Sequence, residues 1–133
     1  MAEFTAALLP VCGTRYWLPA QLVPVALAFA PPGTAEPSYV DRDLRCVLQA
    51  HTGGDHHAFV MHIDGKDTGS VWARWSGSHD PLSLTVLPDC RAIAPEPLDE
   101  ACCQYASHPG GHCYELTDPW HPSAVAIVTV PQP

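Results

Sequence analysis

Cysteine and histidine recur in this chain as a cassette that occurs twice. The first copy reads Cys46-Val-Leu-Gln-Ala-His51-Thr-Gly-Gly-Asp-His56, the second Cys103-Gln-Tyr-Ala-Ser-His108-Pro-Gly-Gly-His112. Both run Cys, four residues, His, one residue, Gly-Gly and a second His, with one extra residue in the first copy. Thiolate and imidazole are the donors that zinc and its neighbours take. The glycine pair lets the backbone reverse between the two histidines, because glycine accepts positive φ at little cost.

Each cassette supplies three donors, and a closed structural zinc needs four. Cys12 precedes the first cassette and Cys90 the second. Two Cys₂His₂ sets follow: Cys12, Cys46, His51 and His56, and Cys90, Cys103, His108 and His112. The expected cofactor is therefore zinc, one or two ions. Cys102 beside Cys103 and His57 beside His56 leave the donor open in each pair. Neighbours on a strand point to opposite faces, so only one of each pair should ligate. A second arrangement keeps one site open: Cys46, His51 and His56 hold a zinc with water in the fourth position, and Asp55 or His62 acts as base or orients a ligand.

The second cassette, with His108-Pro-Gly-Gly-His112-Cys-Tyr at its end, resembles a Cys…His-Pro-Gly-x-His-aromatic segment of small actinobacterial proteins. The resemblance covers about a dozen residues and implies metal binding and no reaction.

These donors need short, well-fixed elements. Fifteen prolines in 133 residues discourage long helices and favour short strands and turns. The pattern predicts strands over 22–29, 57–64, 70–75, 81–87, 113–117 and 124–130, the last the most strand-like and central. Asp64-Gly65 marks the turn of a hairpin between 57–64 and 70–75. Residues 98–106 read as a short helix opened by Asp99-Glu100, and 41–49 as either a helical turn or a strand. The fold class is mainly β: a small sandwich or open barrel of short antiparallel strands, with zinc-ribbon-like Cys/His loops and little helix. The chain is one domain over 1–133, and the repeated cassette allows two similar halves, about 1–75 and 76–133.

Trp72 and Trp75 alternate on one strand, which predicts one in the core and the other, with Trp17 or Trp120, lining a cleft. Arg74 between them is the best-placed arginine to meet a carboxylate or phosphate; the alternative is an ordinary ion pair with a nearby acid. No phosphate loop, dinucleotide fingerprint or nucleophile elbow occurs. A net charge of −8 with six basic residues disfavours nucleic acid and anionic membranes as partners. The apolar N-terminal stretch has no basic leader and is interrupted by Pro10, Arg15, Pro19 and Pro24, which argues against a signal peptide or a membrane span. The expected location is cytoplasmic, where Cys beside His reads as a metal site before a disulfide. The residues thus point to a metal-binding accessory or binding module with an unidentified protein or small-molecule partner. The alternative is a small enzyme of specialised metabolism, a zinc-dependent hydrolase or a pocket-type cyclase.

Overall fold

A computed structural model describes residues 8–65, 68–77 and 80–118. The strand expected over 124–130 and Trp120 lie outside the described residues. The rest is mainly β with short elements, in line with the proline content. The centre is an antiparallel sheet of β4 (His56–His62), β5 (Ser70–Trp75) and β6 (Ser83–Leu87), in that order. It contains the hairpin expected from Asp64-Gly65.

Two small ribbons flank it. β2 (Arg15–Trp17) pairs antiparallel with β3 (Asp43–Arg45), which settles 41–49 as strand-bearing, and β1 (Leu9–Pro10) pairs parallel with β7 (Leu116–Thr117). These open sheets form no closed barrel among the described residues.

The core lies on the sheet. Trp72, Trp75, Val60, Met61 and Val71 are essentially inaccessible, and Leu18, Leu44, Cys46 and Leu48 pack against them. Trp72 and Trp75 are both buried, so β5 is covered on both faces; Trp17 is exposed, at 62%, with the Arg42 guanidinium 5.0 Å from its ring centroid. Gly69 closes the approach of β5 to the end of β6. Its φ is +82°, and a Cβ there would meet the Leu87 carbonyl oxygen at 2.4 Å, so only glycine fits.

Three expected elements differ. Residues 22–29 hold the single α-helix among the described residues, α1 (Val23–Leu27), preceded by a 3-10 turn at Ala20–Leu22. Pro24 stands in the first turn of α1, where its missing N–H costs nothing. The apolar run thus packs as a helix, with Ala26 buried. Residues 98–106 form no helix but an irregular arm with isolated bridges at 101 and 105. Asp99 has φ of 51°, and 101 and 105 pair across to 93 and 89; cross-strand pairing wins over the acidic start. In 113–117 a 3-10 turn, Cys113–Glu115, precedes the strand. The Glu115 carboxylate accepts from the His112 backbone N–H at 2.8 Å, a capping box that stabilises the turn.

Candidate metal centres

Two arms and one returning loop build each centre, and the backbone pattern is the same in both. In the first, the Cys12 N–H donates to the Leu48 carbonyl, Cys46 to Thr14, and Ala50 to Pro10. In the second, Cys90 donates to Gln104, Cys102 to Ala92, and Ala106 to Pro88. The facing residues agree as well: Val11 with Gln49 matches Asp89 with Tyr105, and Arg15 with Arg45 matches Ile93 with Ala101. Cys12 thus corresponds to Cys90, Cys46 to Cys102, and His56 to His112. The antiparallel arms set the two sulfurs side by side, and the loop after the second arm returns two imidazoles to them.

The donor atoms converge. Within Cys12, Cys46, His51 and His56, and within Cys90, Cys102, His108 and His112, all four donor atoms lie within 4.8 Å of one another. In the first group Cys12 Sγ is 3.4 Å from His56 Nδ1, and Cys46 Sγ is 3.6 Å from His51 Nε2. In the second, Cys90 Sγ is 3.6 Å from His112 Nδ1, Cys102 Sγ is 3.5 Å from His108 Nε2, and the two nitrogens are 3.1 Å apart. Zinc bond lengths of about 2.3 Å to sulfur and 2.0–2.1 Å to nitrogen put tetrahedral S and N ligands about 3.5 Å apart. The donors therefore fit a metal ion of that size.

Each first histidine is oriented from behind. His51 Nδ1 lies 2.8 Å from the Gly53 carbonyl, and His108 Nδ1 lies 3.2 Å from that of Pro109. A carbonyl only accepts, so Nδ1 carries the proton and the Nε2 lone pair faces the sulfurs. The second histidines, His56 and His112, turn Nδ1 inward. Backbone N–H groups of Leu48 and His57 face Cys46 Sγ, and that of Cys113 faces Cys102 Sγ. Burial pushes the Cys46 thiol up to about 11 and raises that of Cys90. Burial, then His51, lowers the pKa of His56. Without a metal these groups are held neutral, and a cation must displace the thiol protons to bind.

The structure brings Cys102, and not Cys103, together with Cys90, His108 and His112. Cys103 is exposed, and its backbone N–H donates to Cys113 Sγ at 2.9 Å. Cys102 is buried and faces the histidines. The distance kept between the two centres is that from the second-arm cysteine to the last histidine, ten positions in each, and not that to the first histidine. Ser107 absorbs the extra residue before His108 by taking φ of 68°. Gly54 and Gly110, each two residues before the last histidine, both have positive φ.

His57 points away from the first centre. Its ring packs on Tyr105 with centroids 4.8 Å apart, and Tyr105 in turn meets His108 edge-on. Two glutamines clasp the loops together. The Gly111 N–H donates to Gln49 Oε1 at 3.0 Å, and Gln104 Nε2 donates to the Val47 carbonyl at 3.1 Å. Nothing in the sequence singled out these glutamines; only the burial of Gln104 and the contact of Gln49 with the second loop reveal them.

A cavity of about 470 Å³ opens between the two loops, lined in part by His51, Asp55, His57, Arg74 and Tyr105. Arg74 does have its acid there, Asp55 at 3.3 Å, and Asp55 also accepts from Ser76. His62 is remote from the centres, beside a different hollow with Tyr39 and Phe59. Among the described residues no helix is long and apolar enough to cross a membrane. Comparisons of the chain with protein-family models, with curated proteins and with solved structures find no match.

Proposed function

We propose that this protein is a two-zinc binding or accessory module in which both ions are structural. The observation that carries the reading is the pair of four-donor groups with ligand spacings near those of tetrahedral zinc. Four protein donors fill a tetrahedral ion and leave no position for water, which favours scaffolding over hydrolysis. Asp55 is engaged with Arg74 and Ser76, and His62 is remote, so neither suits the role of base beside an open ion. The short arms of the second centre bury little apolar surface of their own, so an ion supplies the cross-link that a larger core would otherwise provide.

The module would present an acidic surface with exposed aromatic side chains, among them Trp17 and Tyr39, to a protein or small-molecule partner. A reducing compartment such as the cytoplasm would keep the six thiols available. Elemental mass spectrometry on protein purified without a polyhistidine tag tests the reading. Two zinc ions per chain are expected, falling to one in Cys46→Ser and in Cys102→Ser. Absence of stoichiometric metal would overturn it.

A further inference from the structure

Four of the six cysteines lie in the two candidate metal centres, and the other two, Cys103 and Cys113, are neighbours in space. Cys113 Sγ accepts the Cys103 backbone N–H at 2.9 Å and reaches the Ala101 carbonyl at 3.8 Å. By the shared register of the centres, Cys103 and Cys113 stand where the first centre has Val47 and His57, joined there by a 3.1 Å backbone hydrogen bond. In the second group the Cys103 N–H donates to the Cys113 sulfur instead of its carbonyl, which sets that sulfur beside Cys103. Cys103 is exposed, Cys113 is half-buried, and both line a small cavity of about 210 Å³ with Val11, Val47 and Leu116.

We propose that Cys103 and Cys113 form a peroxide-oxidisable dithiol, a modification site separate from the donors of the second metal centre. The exposed Cys103, as its thiolate, attacks one oxygen of hydrogen peroxide. The O–O bond breaks, and after proton transfer Cys103 is a sulfenic acid and one water has left. The Cys113 sulfur then attacks the Cys103 sulfur and loses its proton, and the hydroxyl leaves as a second water. Two thiols are oxidised by two electrons, and one peroxide is reduced to two waters. The resulting disulfide closes residues 103–113, the segment that carries His108 and His112. It thereby ties the same loop that a metal ion ties, so the oxidised chain would keep its histidines in place when the ion is withdrawn.

Metal-loaded protein treated with hydrogen peroxide, quenched and digested with chymotrypsin without reduction tests this. Cleavage after Tyr105 and Tyr114 separates Cys103 from Cys113. The expected result is one cross-linked peptide pair, loss of two free thiols, and unchanged metal content. Cys103→Ser and Cys113→Ser should each abolish the cross-link and still bind metal as the parent protein does. A cross-link that persists in Cys103→Ser would mean that Cys102 is the oxidised partner, and would overturn the proposal. So would oxidation of Cys103 to higher acids with no cross-link, or peroxide-driven metal loss. Metal content measured before oxidation keeps failure of the zinc reading distinct from failure of the dithiol.

Discussion

The two candidate metal centres share a backbone register but stand on different foundations. The arms of the first hold Leu44, Cys46 and Leu48 against the sheet, alongside Val60, Val71 and Trp75, and His56 begins β4 with its ring 5.6 Å from that of Trp75. The second has a few buried side chains of its own, Ala94, Cys102, Gln104, Tyr105 and His108, and Tyr105 alone belongs to the main core. Its flanking elements are single bridges, a 3-10 turn and the two-residue β7. One donor pattern thus stands in two settings: the first group rests on the main core, and the second has little core of its own.

Metal removal is the strongest way to break that comparison. Structural zinc in small Cys/His sites supplies roughly 10–16 kcal/mol of apparent binding energy, and residues 88–117 bury few side chains of their own. Chelation should therefore abolish amide-exchange protection over 88–117 while β4 and β5 stay protected. Equal loss in both regions would show that the sheet also depends on its ion.

Proton competition comes next. Two thiols must be ionised at each centre, and burial raises Cys46 and Cys90. Affinity should then fall on the order of a hundredfold per pH unit below neutrality, one factor of ten for each proton displaced. Competition titrations with a chromogenic chelator between pH 8 and 6 would measure it. His56, with its pKa lowered by burial, adds to this only in acid: its neutral form stabilises the fold fully above the unfolded value of about 6.5, and that contribution fades as pH falls below it. A pH-independent affinity would mean that thiolates are not the donors.

Gly110→Ala and Gly54→Ala sharpen the contrast at equivalent positions. Both have positive φ, which costs an L-residue about 1–2 kcal/mol. Around Gly54 there is open space, whereas a Cβ on Gly110 would meet Gln49 Cβ at 2.8 Å. Chemical denaturation of the metal-loaded protein should show Gly110→Ala losing about 2–3 kcal/mol and Gly54→Ala about half of that. The smallest effect is expected at Arg74→Ala. Its pair with Asp55 is largely exposed, with side chains 58% and 39% accessible, so stability should change by less than about 1 kcal/mol. A larger loss would assign Arg74 a structural part in the inter-loop cavity.

How much of this was legible in the sequence depends on how local each determinant is. Seven of the eight residues assigned to the two sets lie where the donors converge, because Cys/His spacing on a glycine-hinged loop is a local property. Cys103 lies outside the second group, because aligning the repeat on its first histidine put the cysteine one position too late. The geometry instead fixes the last histidine against the second-arm cysteine, and the extra residue vanishes into the left-handed Ser107. Hairpin β4–β5 and strand β6 could be read from alternation and a turn. The helix over 23–27 could not: its apolar run has no clean period, and Pro24 looks like a strand edge until it is seen in a first helical turn. The bridged arm over 98–106 depends on partners at 89 and 93, which no local pattern shows. Nor could burial of both Trp72 and Trp75 be foreseen, since β5 is covered on two faces by segments distant in sequence.

The matching registers hold although the connections between the arms differ threefold in length: 33 residues separate Cys12 from Cys46, and 11 separate Cys90 from Cys102. The tip of such a hairpin is therefore a natural insertion port. The first centre already carries a cargo of helix and turns there, and the second, between residues 95 and 99, offers a position where a foreign peptide could be displayed with the metal loop as its clamp.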